Sequence, residues 1–108
     1  MSEKRLSSRD ILIQTPDIEH ACAFYEDTLG LTAFLRRPNL IGLEAGAFRL
    51  FLERGPAYGP VFEFFADNIE QTKEELLNRG CRIEAEDDSI PKCYLRDPYG
   101  LTFNLSKR

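Results

Sequence analysis

Asp17-Ile18-Glu19-His20-Ala21 and Asn68-Ile69-Glu70-Gln71-Thr72 lie 51 positions apart, counted from Ile18 to Ile69. Each opens a stretch of helical spacing that closes on glycine, Gly30 or Gly80. Held without gaps, the same offset sets Ile11-Leu12-Ile13 over Phe62-Glu63-Phe64. It also sets Phe48-Arg49-Leu50-Phe51-Leu52-Glu53 over Tyr99-Gly100-Leu101-Thr102-Phe103-Asn104. Strand, helix and late strand keep one spacing, so the chain reads as two similar halves. The alternative is chance likeness between two short amphipathic units. A duplicated chain is expected to carry its site where its halves face each other.

The elements follow from local chemistry. Ser8 to Gln14 is Ile/Leu-rich and reads as a strand. Thr15-Pro16-Asp17 stops it, and Asp17 suits an N-cap because its carboxylate accepts orphan backbone N–H groups. Ile18, Ala21, Cys22, Tyr25 and Leu29 keep helical spacing, and Gly30 stands where a left-handed C-cap belongs. Phe24 and Tyr25 are expected in the core. Leu31 to Arg37 is a strand; Leu40 to Glu44 and Phe48 to Arg54 form a hairpin through Ala45-Gly46-Ala47. Gly55 to Pro60, with two Pro and two Gly, reads as a loop and hinge. Val61 to Ala66 is a strong strand. Asp67 with Glu70, or Asn68 with Gln71, supplies a capping box for the second helix. Cys81 to Glu86, Pro91 to Arg96 and Leu101 to Ser106 are the last strands, with Asp97-Pro98-Tyr99-Gly100 as a turn held by the Asp97 side chain. The order is β-α-β-β-β twice, an α+β fold in which one domain, 1–108, holds two modules at about 8–54 and 61–106.

A chain of 108 residues supports one core. A net charge of −4 and scattered basic residues exclude a nucleic-acid surface, which needs clustered Lys and Arg. No apolar run reaches the roughly 20 residues that cross a bilayer, and Met1 to Asp10 has no apolar signal core. The expectation is a cytoplasmic protein without membrane or nucleic-acid partners. Cys22, Cys81 and Cys93 are odd in number and have no C-x-x-C spacing, so they read as reduced structural thiols. His20, alone of its kind, reads as a surface residue at a helix N-terminus.

Two motifs carry a resemblance. Asp17-x3-Ala21-x2-Phe24-Tyr25-x3-Leu29-Gly30-Leu31 resembles the first-helix signature of the vicinal oxygen chelate superfamily. That group comprises glyoxalases, bleomycin-resistance proteins and extradiol dioxygenases. Asp97-Pro98-Tyr99-Gly100-Leu101-Thr102-Phe103-Asn104-Leu105 resembles its C-terminal D-P-x-G signature. The resemblance implies two β-α-β-β-β modules curled into a cupped mixed sheet, and a homodimer with cavities drawing on both subunits. It also implies a metal held by one residue on the first and one on the last strand of each module. Those positions are Asp10, Val61, Glu53 and Asn104, where active relatives carry mostly His, Glu or Gln. Val61 offers no donor and Asn104 only a neutral amide oxygen. The expectation is therefore no metal and no other cofactor, beyond weak Mg or Ca binding at Asp10 and Glu53.

Strand alternation places Leu12, Gln14, Glu63, Phe65 and Thr102 on the face of Asp10, Val61 and Asn104, while Glu53 brings Phe51 and Arg49. These residues make an apolar, aromatic pocket with a few acids, suited to a small molecule. Asp10, Glu53 and Glu63 either meet a cationic or hydroxyl-bearing ligand, pair with Arg49 or Arg96, or face water in another register. Tyr58 and Tyr94 either cover the mouth or stand exposed or at a dimer contact. The leading expectation is a binding protein similar to bleomycin-resistance proteins, capturing an aromatic or cationic drug or metabolite without a metal. The alternatives are a metal-dependent glyoxalase-like lyase, isomerase or dioxygenase, and a structural dimer with a collapsed cup.

Overall fold

The computed structural model describes residues 6–87 and 92–107. The fold is mixed α+β, and its contacts divide the chain into two compact units. The first, Arg9–Pro60, holds β1 (Asp10–Thr15), α1 (Ile18–Leu29), β2 (Thr32–Arg37), β3 (Leu40–Glu44) and β4 (Arg49–Arg54). Its strands lie in the order β2-β3-β4-β1, with β1 parallel to β4 and the other neighbours antiparallel. The second joins the N-terminal segment to Val61–Arg108. It holds most of β5 (Tyr58–Ala66), then α2 (Ile69–Asn78), β6 (Arg82–Asp87), β7 (Lys92–Arg96) and β8 (Thr102–Lys107), ordered β5-β8-β7-β6 with β5 parallel to β8.

The helix ends follow the local signals. Asp17 accepts from the His20 N–H and Asn68 from the Gln71 N–H, each at 3.0 Å. Gly30 and Gly80 take φ of +73° and +100°, a region costly for any residue with a Cβ. The second cap is thus Asn68, paired with Gln71. In the first unit Ile18, Cys22, Ile41, Leu43, Leu50 and Leu52 form the core, with Ile11, Ile13, Tyr25 and Ala33 against them. In the second, Cys93, Leu95, Phe103 and Leu105 do so, with Phe62, Phe64, Ile69 and Leu76. One face of each sheet therefore meets its helix, and the chain builds two hydrophobic clusters where its length suggests one core.

Several expectations need correction. β5 begins at Tyr58, so Gly55 to Pro60 is not loop throughout; the Gly59–Pro60 peptide is cis. β1 begins at Asp10. The Ser7 and Ser8 region pairs instead with the second unit, where Ser8 N–H donates to the Glu63 carbonyl and Phe65 N–H to the Leu6 carbonyl. Phe24 is 54% exposed; only Tyr25 of that pair packs on the core. The start of the seventh strand at Pro91 lies outside the described residues.

The constant offset also fails beyond the helices. Ala33 pairs with Leu43 where Ile83 pairs with Leu95, and Ile11 pairs with Leu50 where Phe62 pairs with Phe103. Matched by their partners, β2 and β6 are 50 apart (33 and 83), β3 and β7 are 52 apart (43 and 95), and β4 and β8 are 53 apart (50 and 103). Small length changes in the connections slide the repeat. The counterpart of Asn104 is thus Phe51, and that of Glu53 is Ser106. The slide of two residues keeps alternation, so both pairs stay on the faces the sequence gives them.

Asp97 holds its turn by accepting from the N–H groups of Tyr99 at 2.8 Å and Leu101 at 2.9 Å. Those backbone bonds, Leu101 first, keep its carboxyl below the usual range, and the His20 N–H does the same for Asp17. Both groups bind protons less readily folded than unfolded. Their contribution is present above the ordinary carboxylate pKa of about 3.9 and is lost as pH falls through the lower folded values. The melting temperature is expected to drop on acidification below about pH 4, and Asp97→Asn is expected to flatten that drop. Thermal scans across the acid range check it; an unchanged acid limb in the variant contradicts it.

Candidate functional site

Alternation turns Asp10, Leu12, Gln14, Arg49, Phe51 and Glu53 of the first unit away from α1, because Ile11, Ile13, Leu50 and Leu52 face it. Asp10 sits opposite Arg49 on the β1–β4 ladder. The guanidinium grips the carboxylate through two bonds, Nε to Oδ1 at 2.6 Å and Nη2 to Oδ2 at 2.8 Å. The same guanidinium lies 5.5 Å from the ring centres of both Phe34 and Phe51, which meet edge to face. Phe34 follows the core-packed Ala33, so alternation turns it to this face, and it stands at a β-bulge where the β2–β3 register shifts between Ala33 and Leu35. Gly42 makes room for it: a Cβ there would stand 2.7 Å from the Phe34 ring. Along the strands, the Gln14 amide donates to Glu53 Oε1 at 2.6 Å, and Leu12 stands opposite Phe51.

In the second unit the face turned from α2 carries Val61, Glu63, Phe65, Tyr94, Arg96, Thr102, Asn104 and Ser106, because Phe62, Phe64, Leu95, Phe103 and Leu105 face the helix. A directed chain of hydrogen bonds runs along it. The Cys93 N–H donates to Asn104 Oδ1 (2.9 Å), the Asn104 amide donates to Ser106 Oγ (3.0 Å), and the Ser106 hydroxyl donates to Glu63 Oε2 (2.6 Å). Val61 and Thr102 are buried on the same strands. Tyr94 is buried, with the Lys92 ammonium 4.9 Å from its ring centre; Tyr58 lies half-buried in β5. Arg96 is 3.8 Å from Glu84.

The three acids separate by partner. Asp10 holds Arg49, whereas Glu53 and Glu63, both half-buried, have only neutral hydrogen-bond donors among the described residues. Sequence reasoning missed Phe34, on a strand whose faces it did not assign, and Ser106. The latter was within reach, since it stands two residues after Asn104 on the same strand.

The donor set does not fit a transition ion. Asp10 is closed by a fork of two charged hydrogen bonds, Val61 has no donor, and Asn104 Oδ1 already accepts a backbone N–H. Among the described residues, no three His, Cys, Asp or Glu side chains gather where they could share a metal. Two other reactive side chains are engaged in local contacts. His20 is exposed against its cap Asp17. Cys22 donates to Glu26 and accepts from Arg36; burial first, then Glu26, pushes its thiol up, so it stays protonated.

Residues 9–105 match the family model of the Glyoxalase/Bleomycin resistance protein/Dioxygenase superfamily. The chain belongs to this superfamily. Its architecture agrees with solved members. It is similar to a superfamily member from Vibrio splendidus 12B01, with TM-score 0.64 and 19% identity over 97% of this chain and 100% of that one. A hypothetical protein from Bacillus halodurans C-125 gives 0.69 and 14% over 98% and 96%. An extradiol ring-cleaving dioxygenase from B. fuscum gives 0.63 and 21% over 94% of this chain. The superfamily chain spans 32% of that dioxygenase's length. At such identities the likeness is one of fold. No curated protein matches the sequence. Among the described residues, no helix of this superfamily member is long and apolar enough to cross a membrane.

Proposed function

We propose that this chain binds a small aromatic or cationic molecule on the sheet faces turned away from its helices, without a metal, and acts by sequestering it. Glu63 carries the reading. It is a half-buried carboxylate beside Phe65 whose hydrogen-bond donor is the neutral Ser106 hydroxyl. Removing a charge from water is costly unless a counter-charge replaces the lost hydration, so a ligand cation is favoured there. Glu53, beside Phe51 and bonded by the Gln14 amide, repeats the arrangement in the other unit. The aromatic side chains supply stacking area, and an organic cation over such rings adds attraction. Binding alone suffices for protection against a drug or toxic metabolite, and two copies of the chain are expected to associate.

Calorimetric titration with phenyltrimethylammonium and acriflavine tests this. The expected result is binding that weakens at least tenfold, about 1.4 kcal/mol, in Glu63→Gln or Glu53→Gln, and weakens with added salt. Absence of binding, or equal affinity in both variants, refutes it. Elemental analysis of protein purified without chelator addresses the metal-dependent lyase, isomerase or dioxygenase reading. A stoichiometric transition metal lost on Asp10→Ala would establish that reading instead.

A further inference from the structure

The two units pack their helices differently. In the first, α1 buries Ile18 and Cys22; in the second, α2 buries only Thr72. Counted from the N-caps Asp17 and Asn68, Cys22 corresponds to Lys73 and Tyr25 to Leu76. Lys73 keeps its stem against the unit, with a side chain only 15% exposed, but ends in a charge. Its ammonium is drawn out to Glu86 at 2.6 Å and Glu70 at 3.1 Å. Leu76 is smaller than the Tyr25 ring that packs against the first core. The result is a partly enclosed cavity of about 260 Å³ between α2 and the sheet, lined by Phe64, Thr72, Leu76, Cys81, Leu101 and Phe103 among others. Asp97 also borders it, but its Oδ1 is taken by the Tyr99 and Leu101 N–H groups.

Protein interiors are close-packed, and an unfilled space of this size forfeits the contacts its lining would otherwise make. Apolar cavities of about 150 Å³ already admit benzene. Phe64 and Phe103 meet edge to face, with centres 5.2 Å apart, an arrangement to which a third ring can be added. The lining's other polar groups are the Thr72 hydroxyl and the Cys81 thiol, which burial holds in its neutral form. We infer that this helix–sheet cavity of the second unit is a second binding site, for one small, uncharged, planar aromatic molecule of indole size. It is separate from the charged faces of the preceding proposal, which lie on the other side of each sheet.

Indole is the probe. It is expected to raise the melting temperature with concentration, because it binds only the folded state. It is also expected to shift the methyl resonances of Leu76, Leu101 and Leu105, and to slow iodoacetamide labelling of Cys81 severalfold by peptide mass analysis. Leu76→Phe restores the bulk that Tyr25 supplies in the first unit and is expected to weaken indole at least tenfold. Leu101→Phe serves if that variant does not fold. Glu63→Gln is expected to leave the indole response intact, which separates this site from the other. No thermal, spectral or labelling response up to the solubility limit overturns the inference, as does a response undiminished in the filled variant or abolished in Glu63→Gln.

Discussion

Leu52→Ala is expected to destabilise the protein by about 3 kcal/mol. Leu52 is fully buried in β4, the strand hydrogen-bonded on both sides within the first unit, opposite Ile13 on β1 and Ile41 on β3. Its side chain completes the cluster with Ile18, Cys22, Leu43 and Leu50. Truncation loses the transfer of three methyl(ene) groups from water and leaves a hole. Strands fixed on both flanks cannot close that hole, so the cost falls in the range of about 2–5 kcal/mol for leucine in a rigid core. For a domain of this size, the melting temperature should fall by roughly 10–20 °C. Urea unfolding with an unchanged slope checks the number; a loss below about 1 kcal/mol would show that the core relaxes around the cavity.

Arg49→Ala is expected to cost about 2 kcal/mol, more than an exposed ion pair contributes. Three interactions end together: the two-bond fork to Asp10 and the cation–π contacts with Phe34 and with Phe51. Asp10, with a side chain only 26% exposed, keeps a charge it can hydrate only in part. The Arg49 side chain is itself 37% exposed, so solvent screening holds the loss below that of a fully buried pair. Lysine supplies the charge but not the planar fork. Arg49→Lys should therefore recover less than half of the loss. A double-mutant cycle with Asp10→Ala isolates the ion pair from the ring contacts. Full recovery by lysine would show that charge alone matters there.

The same residues show how far the chain could be read unaided. Asp10, Glu53 and Glu63 are alike by strand position, and alternation places all three on the helix-free faces. Their chemistry differs by neighbour. Asp10 faces Arg49 across the ladder, whereas Glu53 faces Gln14 and Glu63 faces Asn104. Those neighbours follow from register, and register depends on connection lengths that a gap-free repeat hides. Phe34 illustrates a second limit. The bulge at this residue sets Leu35 opposite Gly42 and Arg36 opposite Ile41, and no periodicity shows where a bulge falls.

By itself the sequence determined the two β-α-β-β-β units, the caps at Asp17 and Gly30, the turn held by Asp97 and the faces of β1, β4, β5 and β8; of the two caps it offered for α2, the structure chose Asn68. All of these are short-range: a cap joins residues three apart, and alternation is fixed by the backbone pleat. Only the tertiary structure decided the slide of the repeat by two residues at β4 and β8, the capture of Asp10 by Arg49, and the use of Asn104 as a backbone acceptor. It alone showed the unfilled space beneath α2. Each of these depends on which residues meet across strands or between helix and sheet, a choice made by packing between segments far apart in the chain.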